Sequence, residues 1–152
     1  MTVTMNKDIK LSPHFTLGEM TVTTYNTADG NIPSRVAIEN LTNLCEDWLE
    51  DLRERYNKNY AGEEPIIINS GYRSPEVNQR CGGARNSNHL TGCAADIRCK
   101  DKAQAIRYAC ILLDIADGKK QDFDELILEK RGTTIWVHFA VRPRGNRRYV
   151  DF

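Results

Sequence analysis

Residues 125–141 read ELILEKRGTTIWVHFAV, two β-rich runs separated by Arg131-Gly132-Thr133-Thr134. β-Branched and aromatic residues on both sides of a short glycine-containing loop predict a hairpin. With a four-residue loop, Lys130 pairs with Ile135, Glu129 with Trp136, Ile127 with His138 and Glu125 with Ala140. Side chains alternate along a strand, so Glu125, Glu129, Trp136 and His138 share one face while Leu126, Leu128, Val137 and Phe139 share the other. The apolar face is fit for a core, which leaves the polar face to line a cleft. A one-residue slip would bury both glutamates, and this selects the register.

Working outward, CAADIRC (residues 93–99) reads as a strand. After it Ala103, Ile106, Cys110 and Leu113 have helical spacing, predicting a helix over about 101–116 that starts at Asp101 and ends near Gly118. Ser74-Pro75 sets a capping hydroxyl before a proline at the first helical position, so a short helix covers 75–81 and stops at Gly82-Gly83, with a loop to Gly92. The β-branched run Ile66-Ile67-Ile68 follows a polar loop and reads as a buried strand. Ile38, Leu41, Cys45, Trp48, Leu52 and Tyr56 recur at three- and four-residue steps, making residues 34–57 the main amphipathic helix. Thr16 and Glu19 form a capping box. Helices clustered ahead of a hairpin give an α+β domain.

The 152 residues suit a single domain, 1–152, with its core at about 11–141 and a basic extension, 142–152, whose Arg142, Arg144, Arg147 and Arg148 read as a solvated tail. Apolar residues make up 40%, and 21 basic side chains balance 21 acidic ones, which argues against nucleic acid as a partner. No apolar run has the length of a membrane span, and MTVTMNKDIK lacks the apolar region of a signal peptide, so the expectation is cytoplasmic synthesis as a soluble monomer. Five cysteines without a C-x-x-C pair fit reduced, buried thiols.

Residues 87–96 read SNHLTGCAAD, and Trp136-Val137-His138 follows on the hairpin. A histidine, a carboxylate and a second histidine are the donor set of a catalytic zinc, which takes three protein ligands and keeps a fourth position for water. The chain has 3 histidines, and His14, in a turn ahead of the first helix, reads as structural.

Ser-x-His-x-x-Gly-x-Ala-x-Asp followed by Trp-x-His resembles the metal motif of the zinc D-alanyl-D-alanine carboxypeptidase and L-alanyl-D-glutamate endopeptidase family, whose fold is shared with the hedgehog signalling domain. Asn69-Ser70-Gly71-Tyr72-Arg73-Ser74 is similar to that family's strand-to-helix turn with its active-site arginine. Ser12-Pro13-His14-Phe15-Thr16 with Glu19 resembles the opening of its compact branch in bacteria and phages. The resemblance implies a hedgehog/DD-peptidase-like α+β fold in which an antiparallel sheet, packed against helices, carries one zinc ion on His89, Asp96 and His138. It also implies that Arg73 grips the peptide carboxylate or the carbonyl oxygen near the scissile bond, where a planar, always charged guanidinium suits the task.

Many relatives carry the general base as an acid three residues before the last histidine, or a histidine two before it; this chain has Ile135 and Trp136 there. Glu129 is the expected base, because Phe123–Glu129 resembles the stretch ending in glutamate in the compact branch, and Glu125 is the alternative. Ser87 is expected to hydrogen-bond near the metal, and Trp136 to line the peptide groove. The implied function is a zinc metallopeptidase that cuts peptidoglycan stem peptides, as carboxypeptidase or endopeptidase, with a phage endolysin or virion-associated enzyme as its setting. A different class fits the same motif: a non-catalytic zinc-binding module that binds a peptide or protein partner.

Overall fold

The computed structural model describes residues 4–152; residues 1–3, where the stretch read above for a leader begins, lie outside it. The chain opens with an antiparallel ribbon of β1 (Lys10–Ser12) and β2 (Phe15–Thr16), followed by a 3₁₀ turn at Glu19–Thr21. The capping box forms as read: Glu19 N donates to Thr16 Oγ1 at 3.2 Å and Thr16 N to Glu19 Oε1 at 3.2 Å. Helix α1 (Arg35–Leu44) is capped by Ser34 and passes through a π-helical stretch, Cys45–Leu49, into α2 (Glu50–Tyr56). Its stripe of Leu41, Cys45, Trp48, Leu52 and Tyr56 is buried.

Next come β3 (Ile68–Ser70), α3 (Pro75–Arg80), β4 (Ala94–Cys99), α4 (Lys102–Lys119), β5 (Glu125–Arg131), β6 (Thr134–Ala140) and β7 (Tyr149–Asp151). The five-stranded sheet has the order β3-β4-β6-β5-β7, antiparallel except for β5 with β7. The hairpin pairs Glu129 with Trp136 and Ile127 with His138, the register that its polar and apolar faces require. Pairing continues to Arg131 with Thr134, so the loop tightens to Gly132-Thr133, with Gly132 at φ 61°.

One face of the sheet presents Ala95, Ile97, Leu126, Val137 and Phe139 to the helices. Phe139 stacks 5.1 Å from Trp48, and Tyr56 packs edge-on to Tyr108 at 4.8 Å. Burying each such ring stabilises the fold by roughly 1.5–3 kcal/mol.

Five expectations change. β3 begins at Ile68 rather than Ile66, and Ile67 is 41% exposed, because β3 is an edge strand. Helix α4 forms, but it buries Ala105, Tyr108, Leu112 and Ile115, leaving Ile106 and Cys110 outside. Gly118 stays inside that helix, which ends at Lys120 in the left-handed region. Of the free thiols, Cys45, Cys93 and Cys99 are buried, Cys81 is half-buried and Cys110 is exposed. The basic C-terminal stretch is no loose tail: it returns to the sheet as β7.

Gly92 ends the 3₁₀ turn Asn88–Thr91 with φ 75°, and a Cβ there would lie 2.4 Å from the Ala37 carbonyl oxygen of α1. Gly132 also has positive φ, but a Cβ there meets nothing within 4 Å. Gly92→Ala is therefore expected to cost more stability than Gly132→Ala. The latter incurs only the left-handed backbone penalty of about 1–2 kcal/mol. Urea denaturation midpoints of the two variants check this.

Candidate active site

The sheet brings the polar residues together by register. Ser70 lies opposite Asp96, and Asp96 opposite His138, across three adjacent strands. His89 comes from the 3₁₀ turn Asn88–Thr91, whose first turn is capped by Ser87 Oγ accepting from His89 N at 3.1 Å. Arg73 N donates to the His89 carbonyl at 3.0 Å, tying the loop before α3 to that turn. Because side chains alternate, β5 and β6 direct Glu125, Ile127, Glu129, Trp136 and His138 into a cleft of about 640 Å³.

At its floor one donor atom from each of His89, Asp96 and His138 lies within 4.8 Å of the others. His89 Nδ1 is 2.6 Å from the Gly71 carbonyl oxygen, which only accepts, so Nδ1 carries a proton and Nε2 is turned to Asp96 Oδ1 at 3.3 Å. His138 Nε2 is 3.0 Å from Glu125 Oε1, and its Nδ1 faces Asp96 Oδ1 at 3.0 Å. Each imidazole is thus held through the nitrogen that faces away from Asp96, as metal-ligating histidines are. Two nitrogens and one carboxylate oxygen, open on the cleft side, fit one zinc ion.

The same contacts bias the proton equilibria. Burial opposes charge on Asp96, yet hydrogen bonds from His138 and His89 hold its carboxyl well below the usual carboxylate range. Burial also opposes charge on His138, but its bonds to Asp96 and Glu125 raise it to about 9. The His138 bond, opposed by burial and helped by Asn88, holds Glu125 at about 2. A proton on His138 Nδ1 and a metal ion are alternatives for the same lone pair.

Around this floor the other anticipated residues take distinct places. Arg73 donates from Nε to Ser70 Oγ at 2.9 Å and from Nη2 to Asp96 Oδ2 at 3.0 Å, with Nη1 3.5 Å from Asn78 Oδ1. Its guanidinium holds the outer oxygen of Asp96 and also lines the cleft, with only the long Asn78 contact on Nη1. Glu125 is engaged on both oxygens: Oε1 accepts from Asn88 Nδ2 at 2.7 Å and from His138, while Oε2 lies 3.2 Å from Arg147. Glu129 lines the cleft and, among the described residues, has no hydrogen-bond or ion-pair partner. Ser87 and Trp136 also line the cleft, and the indole Nε1 of Trp136 is a buried donor without a partner. His14 bonds Glu50 Oε1 at 2.7 Å and does not line the cleft.

Ile135 is an odd number of residues from His138 on a regularly paired strand, so it points to the opposite face and packs against the core. Sequence reasoning missed Gly71, which bonds the His89 ring, and Asn88 and Asp124, which stand behind Glu125 and so behind His138. Asn88 stood inside the quoted motif, beside His89. Asp124, fully buried, accepts from Asn88 Nδ2 at 2.8 Å and from three nitrogens of Arg147, contacts with no local signal.

A family model described as Peptidase M15 matches residues 13–128, a span that holds Arg73, His89, Asp96 and Glu125 and ends ahead of Glu129 and His138. The chain is also similar to a zinc D-Ala-D-Ala carboxypeptidase of Streptomyces albus G, with 50% identity over 36 residues. That match covers 24% of this chain and 14% of the relative's length.

Proposed function

The chain belongs to the peptidase M15 family, and from that premise we propose that it is a zinc peptidase hydrolysing a peptide bond of peptidoglycan stem peptides. The observation that carries the reading is the convergence of His89, Asp96 and His138 within 4.8 Å on the floor of a cleft whose wall holds Glu129, whose carboxylate has no partner among the described residues. Zinc held by these three side chains supplies a water acidified towards neutral pH and a Lewis acid for the substrate carbonyl. Glu129 takes a proton from the attacking water and delivers it to the amide nitrogen. The C–N bond breaks, leaving a carboxylate on one product and an amine on the other.

Arg73 and Glu125 act by position. Arg73 fixes Asp96 through its outer oxygen, and Glu125 fixes His138 through Nε2. Ser87 sets the turn that presents His89. Trp136 lines the cleft and offers its ring as a wall for the peptide. Similarity to a zinc D-Ala-D-Ala carboxypeptidase supports a stem peptide as substrate, with the bond cut, at the D-Ala end or at L-Ala-D-Glu, as the finer question.

The test is digestion of purified peptidoglycan and of a free stem pentapeptide by zinc-loaded protein, with a chelated control, the new termini being read by mass spectrometry. A product that vanishes on chelation and returns with zinc is expected, and its termini name the bond. No product from protein that demonstrably holds zinc would overturn the peptidase and leave the zinc-binding module of the same fold.

A further inference from the structure

Residues 141–148 connect β6 to β7, with Arg142 and Arg147 lining the cleft, and the strap they form is built from specific bonds. Val141 N donates to Cys93 O at 2.8 Å and Arg148 N to Phe123 O at 2.8 Å, pinning both ends. Between them Asn146 closes a loop on Arg142, its Oδ1 accepting from Arg142 N at 2.8 Å and its Nδ2 donating to Arg142 O at 2.9 Å. Underneath lies Asp124, 0% exposed, which receives Arg147 Nε at 3.0 Å and Nη2 at 2.9 Å. A fixed backbone and a buried counter-charge hold two guanidinium groups in the cleft wall, where both line the same space as the zinc ligands.

The two are not equally occupied. Arg147 spends its charge on Asp124 and on Glu125. Arg142 offers only Nε, at 2.8 Å to Asn88 Oδ1 and 3.3 Å to Asp124 Oδ2; among the described residues its two terminal nitrogens have no partner. Arg73, to which the family resemblance gave substrate binding, is engaged through Nε by Ser70 and through Nη2 by Asp96, which leaves Nη1 as its one lightly held nitrogen on the cleft. Arg142 reaches the candidate metal ligands through Asn88, which adjoins His89 in the chain and bonds Glu125, which in turn holds His138. A side chain fixed at Nε with a free pair of terminal donors is the planar fork that a carboxylate accepts in bidentate fashion.

We propose that Arg142, carried on the 141–148 strap, is the specificity-determining residue that binds the substrate carboxylate nearest the scissile bond, so that the enzyme selects peptides with that carboxylate free over their amidated counterparts. The inference rests on the peptidase reading and deepens it. A carboxamide of the same shape offers one acceptor and a repelled amide donor, so discrimination comes from the guanidinium and not from size.

The experiment uses a stem peptide and its analogue bearing a carboxamide in place of the carboxylate nearest the cut bond. Both are titrated calorimetrically into zinc-loaded Glu129→Gln protein, with Arg142 native or replaced by Gln, and both are assayed for cleavage by wild type and by Arg142→Gln. The free carboxylate is expected to bind about 10–100-fold more tightly than the amide, the range of a charge-assisted hydrogen bond. Arg142→Gln is expected to bring that ratio close to one in Kd and in kcat/KM, through KM, and Arg142→Lys to restore part of it. Equal binding of the two peptides when Arg142 is native, or a ratio that survives Arg142→Gln while both peptides weaken together, would overturn the proposal and reduce Arg142 to a support for Asn88. Absence of cleavage in every arm would count against the peptidase alone, because the ratio of the two Kd values tests Arg142 without turnover.

Discussion

Asp96→Ala is expected to abolish stoichiometric zinc binding and to lower peptidase turnover on the order of a thousandfold or more. One oxygen of Asp96 faces both imidazoles, at 3.0 Å from His138 and 3.3 Å from His89, and the other receives Arg73 at 3.0 Å. The side chain is therefore both the anionic ligand and the counter-charge that keeps three potential cations together. Loss of a residue that merely orients a ligand costs about 10–100-fold in metal affinity, and loss of the ligand costs more. Arg73 would be left against two histidines with its Asp96 bond gone. Breaking a buried ion pair by removing one partner costs about 3–5 kcal/mol; Arg73 opens on the cleft, so water offsets part of that. Zinc content after gel filtration, with circular dichroism to verify folding, checks the expectation. A variant that keeps one zinc per chain at wild-type affinity would place the metal elsewhere.

The convergence of His89, Asp96 and His138 into one candidate metal site was legible because its signals are local. His89 and Asp96 stand in one motif, and His138 is placed by the alternation of a hairpin whose opposite face, Leu126, Leu128, Val137 and Phe139, permits a single register. What the sequence concealed depends on partners distant in the chain. Helix α4 offers two apolar stripes, and only the packing of Tyr108 against Tyr56 decides that Ile106 and Cys110 stay outside. Arginines around Pro143 and Gly145 look like a solvated tail until Asp124 is found buried beneath them. Glu125 and Glu129 share a face, so periodicity could not rank them. Their contacts do: Glu125 is held on both oxygens, whereas Glu129 lines the cleft without a partner among the described residues.

That difference makes Glu129→Gln the sharpest test of the chemistry. The amide keeps the size of the side chain and cannot take up a proton, so only proton transfer is removed. Glu129 sits opposite Trp136, diagonal to His138 on the cleft face, at a cross-strand separation of about 7–8 Å that leaves room for a water and a scissile amide between it and the ligands. No ligand-orienting bond depends on it. Turnover is expected to fall by about 10²–10⁴, the contribution of a positioned general base, with zinc content and peptide affinity close to wild type. Glu125→Gln should read differently. Its bond to His138 Nε2 orients a ligand, so its loss is expected to appear first as a 10–100-fold weaker hold on zinc. Competition with a chelator of known affinity measures that hold, and steady-state kinetics at saturating zinc measures turnover. Full activity in Glu129→Gln, with turnover lost in Glu125→Gln at saturating zinc, would exchange the two roles. It would mean that Glu125 leaves His138 and Asn88 when substrate binds, a rearrangement for which its two engaged oxygens give no support.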